Sequence, residues 1–177
     1  MKLLILDRDG VINEDSDDYI KSVAEWQPVP GSIEAIARLT QAGWRVFVAS
    51  NQSAVGRGMM DFDALFAIHD RMMRACAELG GRIDGIAFAP EHPDHATPMR
   101  KPAPGMLLDL ARRLQVQLDG VPFVGDSYGD IEAARAAGAT PILVRSGKGA
   151  RTEKAHALGE VAVYDDLAHY VSVLLAA

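Results

Sequence analysis

The sequence predicts an α/β fold with a doubly wound, mainly parallel sheet. Short apolar runs alternate along the chain with segments whose apolar residues recur at helical spacing, which is typical of strands joined by right-handed helical crossovers. The first run, residues 3–6, reads Leu-Leu-Ile-Leu, as expected for a strand buried on both faces of a parallel sheet. Polar clusters follow several of the runs, at the place where open α/β sheets bind their ligands.

Each element can be placed from its own local sequence. The predicted strands are short apolar runs bounded by turn residues, and they lie at 3–6, 44–49, 83–88, 121–124, 141–144 and, as a short edge strand, 161–163. The predicted helices lie at 31–42, 61–79, 104–115, 131–137 and 167–175. Ser32 is the expected N-cap of the first helix, Gly43 its stop, and Pro104 the first residue of the third. Residues 55–58 and the basic stretch 145–151 are expected to be loops.

Length and composition predict one globular domain that spans residues 1–177. Hydrophobic residues make up 49% of the chain and charged residues 24%, so the chain can bury a sizeable core. The net charge of -6, without any long basic run, argues against nucleic acid or a membrane surface as a partner. The single cysteine, Cys76, excludes an internal disulfide, and no secretory signal is visible. We therefore expect a cytoplasmic protein. We also expect the protein to be a monomer.

Four polar clusters follow predicted strands, and a parallel sheet should bring them to one edge. The clusters are Asp7 with Asp9, Ser50 with Asn51 and Gln52, Arg100 with Lys101, and Asp126 with Asp130. Carboxylates can hold Mg²⁺, while cations and amide donors can hold the oxygens of a phosphate. The combination indicates phosphoryl transfer, in which positioning and charge neutralisation provide most of the catalysis.

These clusters resemble the four ordered motifs of the haloacid dehalogenase superfamily. The motifs are Asp7-Arg8-Asp9-Gly10, Ser50-Asn51-Gln52, Lys101, and Gly125-Asp126 with Asp130, and they span nearly the whole chain. The longer signatures are LDRDGVIN from Leu6, SNQS from Ser50, and RKP from Arg100 followed by PGM from Pro104. They are similar to signatures of the D-glycero-D-manno-heptose 1,7-bisphosphate 7-phosphatases and the related histidinol-phosphate phosphatases. The resemblance implies a Rossmann-like fold.

The resemblance also implies a catalytic set. Asp7 would be the nucleophile that forms an aspartyl-phosphate, and Asp9 the acid and base that serves the leaving alkoxide and then water. Mg²⁺ would be held by Asp7, the backbone carbonyl of Asp9, and Asp126. Asp130 would orient Lys101 or a metal-bound water rather than bind the metal directly. A surface acid favoured by a helix N-terminus is the competing interpretation of Asp130.

Ser50 and Lys101 complete the implied catalytic residues by binding phosphate oxygens. The implied substrate contacts are Asp7, Asp9, Tyr19, Ser50, Asn51, Gln52, Ser53, Arg57, Arg100 and Lys101. Several have ordinary structural alternatives: Ser50 could be a helix cap, Lys101 and Arg57 solvated cations, and Tyr19 a core residue. Ser127 stands where some family members have a lysine.

Two features refine the expected site. Residues 11–30 and the segment between Ser53 and Lys101 are too short for a separate cap domain, so loops, including residues 15–19, should shape its mouth. The related families often carry a structural zinc bound by a Cys-x-His pair and a later Cys-x-Cys. Those positions here hold Ala89, Glu91, Thr97 and Met99, without any thiolate, so we expect no structural zinc. His92 and His95, with Asp94, remain nearby as a weaker metal candidate.

The leading hypothesis is a Mg²⁺-dependent phosphatase of a small phosphorylated sugar, most specifically the 7-phosphate of heptose 1,7-bisphosphate. Histidinol phosphate is the alternative substrate, and Arg57, Arg100, Arg145 and Lys148 favour the bisphosphate because they could bind its second phosphate. A sugar-phosphate-binding protein without catalytic activity is the alternative outside the enzymes.

Overall fold

A single parallel sheet organises the molecule, and the computed structural model describes all 177 residues. The strands lie in the order β3-β2-β1-β4-β5-β6, and every neighbouring pair is parallel. The strands are β1 (Leu3–Leu6), β2 (Arg45–Asn51), β3 (Gly85–Ala89), β4 (Pro122–Gly125), β5 (Thr140–Val144) and β6 (Ala162–Tyr164). The helices are α1 (Ser32–Gln41), α2 (Ser53–Gly56), α3 (Phe62–Glu78), α4 (Gly105–Leu114), α5 (Tyr128–Ala137), α6 (Gly149–Ala155) and α7 (Leu167–Ala176). The predicted α/β, doubly wound, Rossmann-like fold is confirmed.

The central strand β1 is buried on both faces. Successive side chains of a strand point to opposite faces, and Leu4 and Leu6 pack in one hydrophobic cluster while Leu3 and Ile5 pack in the other. The continuous apolar run therefore serves two core layers, one on each side of the sheet. This double burial fixes the position of the residues that follow Leu6 at the end of the strand.

The order of the strands reverses between β1 and β4, and this is where the polar clusters meet. From β1 the chain adds β2 and β3 on one side, then crosses to β4, β5 and β6 on the other. Ligands of open α/β sheets bind outside the carboxyl ends of the strands at such a reversal. All six strands belong to this one sheet.

Two details of the first helices differ from the sequence prediction. Gly31 rather than Ser32 is the N-cap of α1, with φ at 81°, a conformation in which glycine is favoured. The Ser32 hydroxyl instead donates to the backbone carbonyl of Ile12 at 2.6 Å. Residues 53–56 form the short helix α2, so the predicted loop at 55–58 is wrong in its first half; the Gly56 N–H donates to the Pro90 carbonyl at 2.8 Å.

The later helices also differ at their starts. Pro104 is the N-cap of α4 rather than its first residue. Helix α5 starts at Tyr128, ahead of the predicted 131, because Ser127 and Asp130 form a reciprocal capping box. The expected loop at 145–151 ends in helix α6, which begins at Gly149. No helix of the protein has both the length and the apolar character needed to cross a membrane.

Candidate active site

A polar pocket of about 290 Å³ opens at the carboxyl ends of β1, β2 and β4. It contains nearly all of the residues predicted for the site: Asp7, Asp9, Tyr19, Asn51, Gln52, Ser53, Arg57, Arg100, Lys101, Asp126 and Asp130. Ser127, to which the sequence assigned no role, also lines the pocket. Ser50 lies behind this lining and is only 1% exposed. Asp15, Ser16, Asp17 and Lys148 complete the polar part of the wall. The fold thus brings together side chains from loops that are far apart in sequence.

Lys101 is buried and contacts two carboxylates. Its Nζ lies 3.1 Å from Asp7 Oδ1 and 2.7 Å from Asp130 Oδ1, and it donates to the Ala49 carbonyl at 2.8 Å. Burial opposes the charged form, but the charges of Asp130 and Asp7 prevail and raise the pKa of Lys101. Lys101 is therefore a fixed positive charge in the site rather than a solvated lysine.

Asn51 holds the Lys101 segment in place. Its side-chain amide donates to the Lys101 carbonyl at 2.9 Å and accepts from the Lys101 backbone N–H at 3.0 Å. These paired bonds tie the end of β2 to the loop that carries Lys101. Because both polar groups of Asn51 are engaged, its role in this structure is to position the lysine.

Asp126 lies in a cradle of backbone atoms. A Cβ at Gly10 would come within 2.0 Å of Asp126 Oδ2, and a Cβ at Gly147 within 2.3 Å, so neither position can carry a side chain without displacing the carboxylate. The Lys148 backbone N–H donates to the same oxygen at 2.8 Å. The Thr152 hydroxyl donates to the Asp126 carbonyl at 2.8 Å. The loops after β1 and β5 thus fix the position of this acid.

Three buried carboxylates, Asp7, Asp126 and Asp130, bring oxygens within 4.8 Å of one another. Burial, followed by the negative charge of Asp130, raises the pKa of Asp7 to about 7, against the opposing effect of Lys101. Burial and the charges of Asp7 and Asp130 also raise the pKa of Asp126. Mutual repulsion among buried oxygen ligands is what a bound divalent cation would relieve, so the residues fit a site for Mg²⁺.

Asp130 is the least available of the three acids. Its Oδ1 faces Lys101, and its Oδ2 accepts from the backbone N–H groups of Asp126 and Ser127 and from the Ser127 hydroxyl, at 3.1, 3.0 and 2.9 Å. Both oxygens are therefore engaged within the protein. Asp7 and Asp126 are the better candidates for direct metal contact, and Asp130 is placed to orient Lys101.

Asp9 is held by donors from three side chains. Its Oδ1 accepts from Arg8 Nε at 3.0 Å, Arg8 Nη2 at 2.8 Å and Asn13 Nδ2 at 2.9 Å, while its Oδ2 accepts from Gln52 Nε2 at 2.9 Å. Burial alone would raise the pKa of Asp9, but the Arg8 charge and these hydrogen bonds lower it below its usual value. The carboxylate form is thus stabilised in the free protein.

Gln52 connects Asp9 to Ser50. The same Nε2 that donates to Asp9 also donates to Ser50 Oγ at 2.9 Å. Because Ser50 Oγ accepts from Gln52, its own hydroxyl hydrogen remains free to donate. Gln52 itself is only 4% exposed and therefore supports the site more than it offers a free amide to a substrate.

The rim of the pocket carries three cations and an aromatic ring. The Arg57 guanidinium lies 5.6 Å from the centre of the Tyr19 ring, Arg100 lines the same wall, and Lys148 Nζ lies 3.3 Å from Asp15 Oδ2. Tyr19 is half-buried at the rim, so it is not a core residue. Arg145 lies outside the pocket and pairs instead with Glu153 and Asp165.

Comparison with known proteins places this geometry in a family. A family model for HAD-hydrolase-like proteins matches residues 98–170. The D-glycero-β-D-manno-heptose-1,7-bisphosphate 7-phosphatase of Pseudomonas putida is 53% identical over 168 residues, which cover 95% of this chain and 96% of that protein. The crystal structure of the D,D-heptose 1,7-bisphosphate phosphatase of Bordetella bronchiseptica, complexed with magnesium and phosphate, superposes with a TM-score of 0.98, 52% identity and 99% coverage of both chains. The chain belongs to this family of HAD phosphatases.

A second solved relative extends the likeness at lower identity. The D,D-heptose 1,7-bisphosphate phosphatase of Burkholderia thailandensis is 42% identical, with a TM-score of 0.79 and full coverage of both chains. The resemblance inferred from the four motifs is confirmed, and the protein is a phosphatase rather than a binding protein without activity.

Several residues that shape the phosphatase site went unassigned in the sequence analysis. Arg8 and Asn13 donate hydrogen bonds to Asp9, and the Gly147 backbone lies close against Asp126. Lys148 was considered only for a second substrate phosphate, and its backbone N–H also donates to Asp126. Arg8 offered a detectable signal, because an arginine between two acids at the end of a buried strand has few partners other than those acids. The contribution of Gly147 depends on how closely two loops approach, and the sequence carries no comparable sign of it.

The loop at 89–99 holds its shape through side-chain hydrogen bonds. Glu91 Oε1 accepts from the Thr97 hydroxyl at 2.7 Å and from the Thr97 backbone N–H at 3.1 Å. These two residues occupy positions where the resemblance led us to look for zinc ligands. His92 and His95 lie nearby with ring centres 6.2 Å apart. The absence of a structural zinc stays a prediction.

Proposed function

We propose that this phosphatase removes the 7-phosphate of D-glycero-β-D-manno-heptose 1,7-bisphosphate. The observation that carries the proposal is similarity along almost the entire chain, at about half identity, to proteins named for that reaction. A polar pocket lined by acids, a buried lysine and rim arginines is compatible with a small, highly phosphorylated sugar. The β-anomer is the form that appears in the names of these relatives.

Asp7 is proposed as the nucleophile. A carboxylate can attack phosphorus to form an aspartyl-phosphate, and Asp7 lies at the end of β1 with one oxygen directed to Lys101. Its other contact is the Arg8 backbone N–H, which donates to Oδ1 at 2.7 Å. Both contacts involve Oδ1, which leaves Oδ2 as the oxygen to attack phosphorus.

Asp9 is proposed as the acid and base of the two half-reactions. It gives a proton to the departing sugar oxygen and later takes one from the water that hydrolyses the aspartyl-phosphate. Residues two apart on an extended segment share a side, so Asp7 and Asp9 can serve one phosphate. Both line the same pocket.

Lys101 and Ser50 are proposed to bind the oxygens of the transferred phosphate. Fixed donors aimed at developing charge in a site with little water are among the strongest catalytic contributions. Lys101 is buried against Asp7, and Ser50 keeps a free hydroxyl hydrogen through its bond from Gln52. Mg²⁺, when held by Asp7, the backbone carbonyl of Asp9 and Asp126, would neutralise the repulsion between the nucleophile and the anionic phosphate.

The rim residues are proposed to bind the rest of the substrate. Arg57, Arg100 and Lys148 are positive groups at the mouth of a pocket whose floor holds the acids. A second phosphate on the sugar would find a counter-charge there, whereas the amine of histidinol phosphate would meet like charges. Tyr19 and Ser53 would contact the sugar itself. We further propose that the enzyme acts as a monomer in the cytoplasm.

Competition between candidate substrates tests this proposal. We expect kcat/KM for the β-heptose 1,7-bisphosphate to exceed that for its α-anomer and for histidinol phosphate, when all are measured with Mg²⁺ at one pH. Arg100→Met should narrow the preference for the bisphosphate over a sugar monophosphate, while the surface control Arg74→Met should leave it unchanged. A clear preference of the wild type for histidinol phosphate would reject the proposed substrate.

A further inference from the structure

The two oxygens of Asp9 have different surroundings. Oδ1 accepts three hydrogen bonds, two from Arg8 and one from Asn13, whereas Oδ2 accepts one, from Gln52. Arg8 and Asn13 are fully buried and do not line the pocket, while Gln52 does. Oδ1 therefore faces the protein interior, and Oδ2 faces the pocket.

The Arg8 side chain has few other polar contacts. Its guanidinium is 0% exposed, its polar side-chain contacts are with Asp9 alone, and its Nη1 is buried with no hydrogen-bond partner. A buried ion pair that leaves a donor unsatisfied contributes little to stability, because desolvation offsets much of the attraction. The contact between Arg8 and Asp9 is therefore better explained by its effect on the position of the Asp9 carboxylate than by a contribution to the stability of the fold.

We propose that Arg8, assisted by Asn13, is a positioning residue that immobilises Oδ1 of Asp9 and leaves Oδ2 as the oxygen that transfers protons. This inference rests on the proposed function, since it assumes that Asp9 is the acid and base. Three donors occupy the acceptor positions of Oδ1, so a proton there would displace a charged partner. Oδ2 keeps an acceptor position toward the pocket.

Each half-reaction can then be written around Oδ2. In the first, the Asp7 carboxylate forms a bond to phosphorus while the bond between phosphorus and the sugar oxygen breaks, with its electron pair going to that oxygen. The proton on Oδ2 of Asp9 passes to the departing oxygen, which leaves Asp9 as a carboxylate. In the second, water forms a bond to phosphorus, its proton passes to Oδ2, and the Asp7 carboxylate leaves with the electron pair of its own bond to phosphorus. The arginine keeps its proton throughout.

Two substrates with different leaving groups can show whether Arg8 positions the acid Asp9 or only supports the structure. A sugar alkoxide needs a proton as it departs, whereas p-nitrophenolate does not. The ratio kcat/KM covers steps only through departure of this group, so hydrolysis of the aspartyl-phosphate does not enter it. General acid catalysis contributes about 10²–10⁴-fold, so we expect Arg8→Met to lower kcat/KM at least about 10-fold for a sugar phosphate and less than about 3-fold for p-nitrophenyl phosphate.

A double-mutant cycle tests whether Arg8 acts through Asp9. In an Asp9→Asn background, Arg8→Met should cause little further loss with the sugar phosphate, because the group it positions is gone. Arg74→Met, on the exposed face of α3, is the matched control and should leave kcat/KM unchanged for both substrates. If Arg8→Met folds poorly, Arg8→Lys should show a smaller loss with the same substrate dependence, and Asn13→Ser should do so independently.

The outcomes are distinct. Equal losses on both substrates for the Arg8 and Asn13 variants, or full additivity with Asp9→Asn, would overturn the positioning role. If Asp9→Asn itself lowers kcat/KM equally for both substrates, the proposed acid–base function fails and the inference fails with it. If Asp9→Asn discriminates between the substrates and Arg8→Met does not, the proposed function stands and only the inference fails.

Discussion

Gly10→Ala should damage the proposed metal-binding corner of the site, at Asp126, far more than it damages the fold. Gly10 has φ of 82°, and a Cβ built there would lie 2.0 Å from Asp126 Oδ2. Since 3.4–4 Å is an ordinary distance for such a contact, the carboxylate would have to move by more than an ångström. That displacement would disturb the alignment of Asp126 with Asp7.

The chain provides a control for the backbone strain. Gly43, just after α1, has φ of 78°, and a Cβ there would meet nothing within 4 Å. Alanine in this left-handed conformation costs about 1–2 kcal/mol at either position. Both variants should therefore lose similar stability from strain, and only Gly10→Ala should also lose activity, by about 100-fold if the acid is misplaced by an ångström.

Urea unfolding and the Mg²⁺ dependence of phosphate release measure the two effects separately. We expect Gly43→Ala to keep the kcat and the half-saturating Mg²⁺ concentration of the wild type. Gly10→Ala should need more Mg²⁺ and reach a lower kcat. If the two variants have the same kinetics, the close approach of Gly10 to Asp126 has no functional role and the reasoning is refuted.

Three further predictions concern other parts of the molecule. Burial first, and the Arg8 charge second, lower the pKa of His69 from 6.5 to about 4, so the unfolded chain binds a proton between those values that the folded chain does not. The contribution of this group to the free energy of unfolding is complete above pH 6.5 and is lost as the pH falls toward 4, by about 3 kcal/mol in all. In urea unfolding, the free energy of unfolding should therefore depend less on pH for His69→Gln than for the wild type. An equal dependence on pH in the two proteins would contradict this prediction. Lys101→Met leaves buried carboxylates without their cation, so we expect the free energy of unfolding to fall by about 3 kcal/mol. We also expect kcat to fall at least about 100-fold. A variant with the kinetics of the wild type would exclude Lys101 from catalysis. Metal analysis of protein purified without a tag should find no stoichiometric zinc, and a full equivalent would reject the prediction.

The sheet was predictable because its pattern is local. A continuous apolar run such as residues 3–6 can satisfy two core layers only from the middle of a parallel sheet, and the structure places it there. The start of α6 was missed because 145–151 is rich in glycine and basic residues, whereas the helix forms where Thr152 bonds to Asp126. Tertiary contact, not propensity, decides that element.

The convergence of the polar clusters was also accessible, since parallel strands share one edge for their carboxyl ends. Burial was not. Lys101 could be assigned to phosphate binding from its motif, but its contacts with both Asp7 and Asp130 require the fold. The same holds for Gln52, which is predicted to contact substrate and whose side chain also joins Ser50 to Asp9. Which oxygen of a carboxylate faces the pocket can be decided only from coordinates.

The charge distribution explains how an acidic protein can take an anionic substrate. The chain has a net charge of -6, and its pocket floor holds buried acids. Four cations line the pocket itself: Lys101 lies beside the acids, and Arg57, Arg100 and Lys148 lie at the rim. In a partly enclosed pocket, nearby charges outweigh distant ones that solvent and salt screen.

The most direct test of the account follows phosphate release from β-heptose 1,7-bisphosphate by the wild type and by Asp7→Asn, with ³¹P NMR of the product. We predict Mg²⁺-dependent loss of the 7-phosphate, a product that keeps its phosphate on C1, and no turnover by Asp7→Asn. Equal phosphate release by the two proteins, or loss of the C1 phosphate, would contradict the central claim that Asp7 attacks the 7-phosphate.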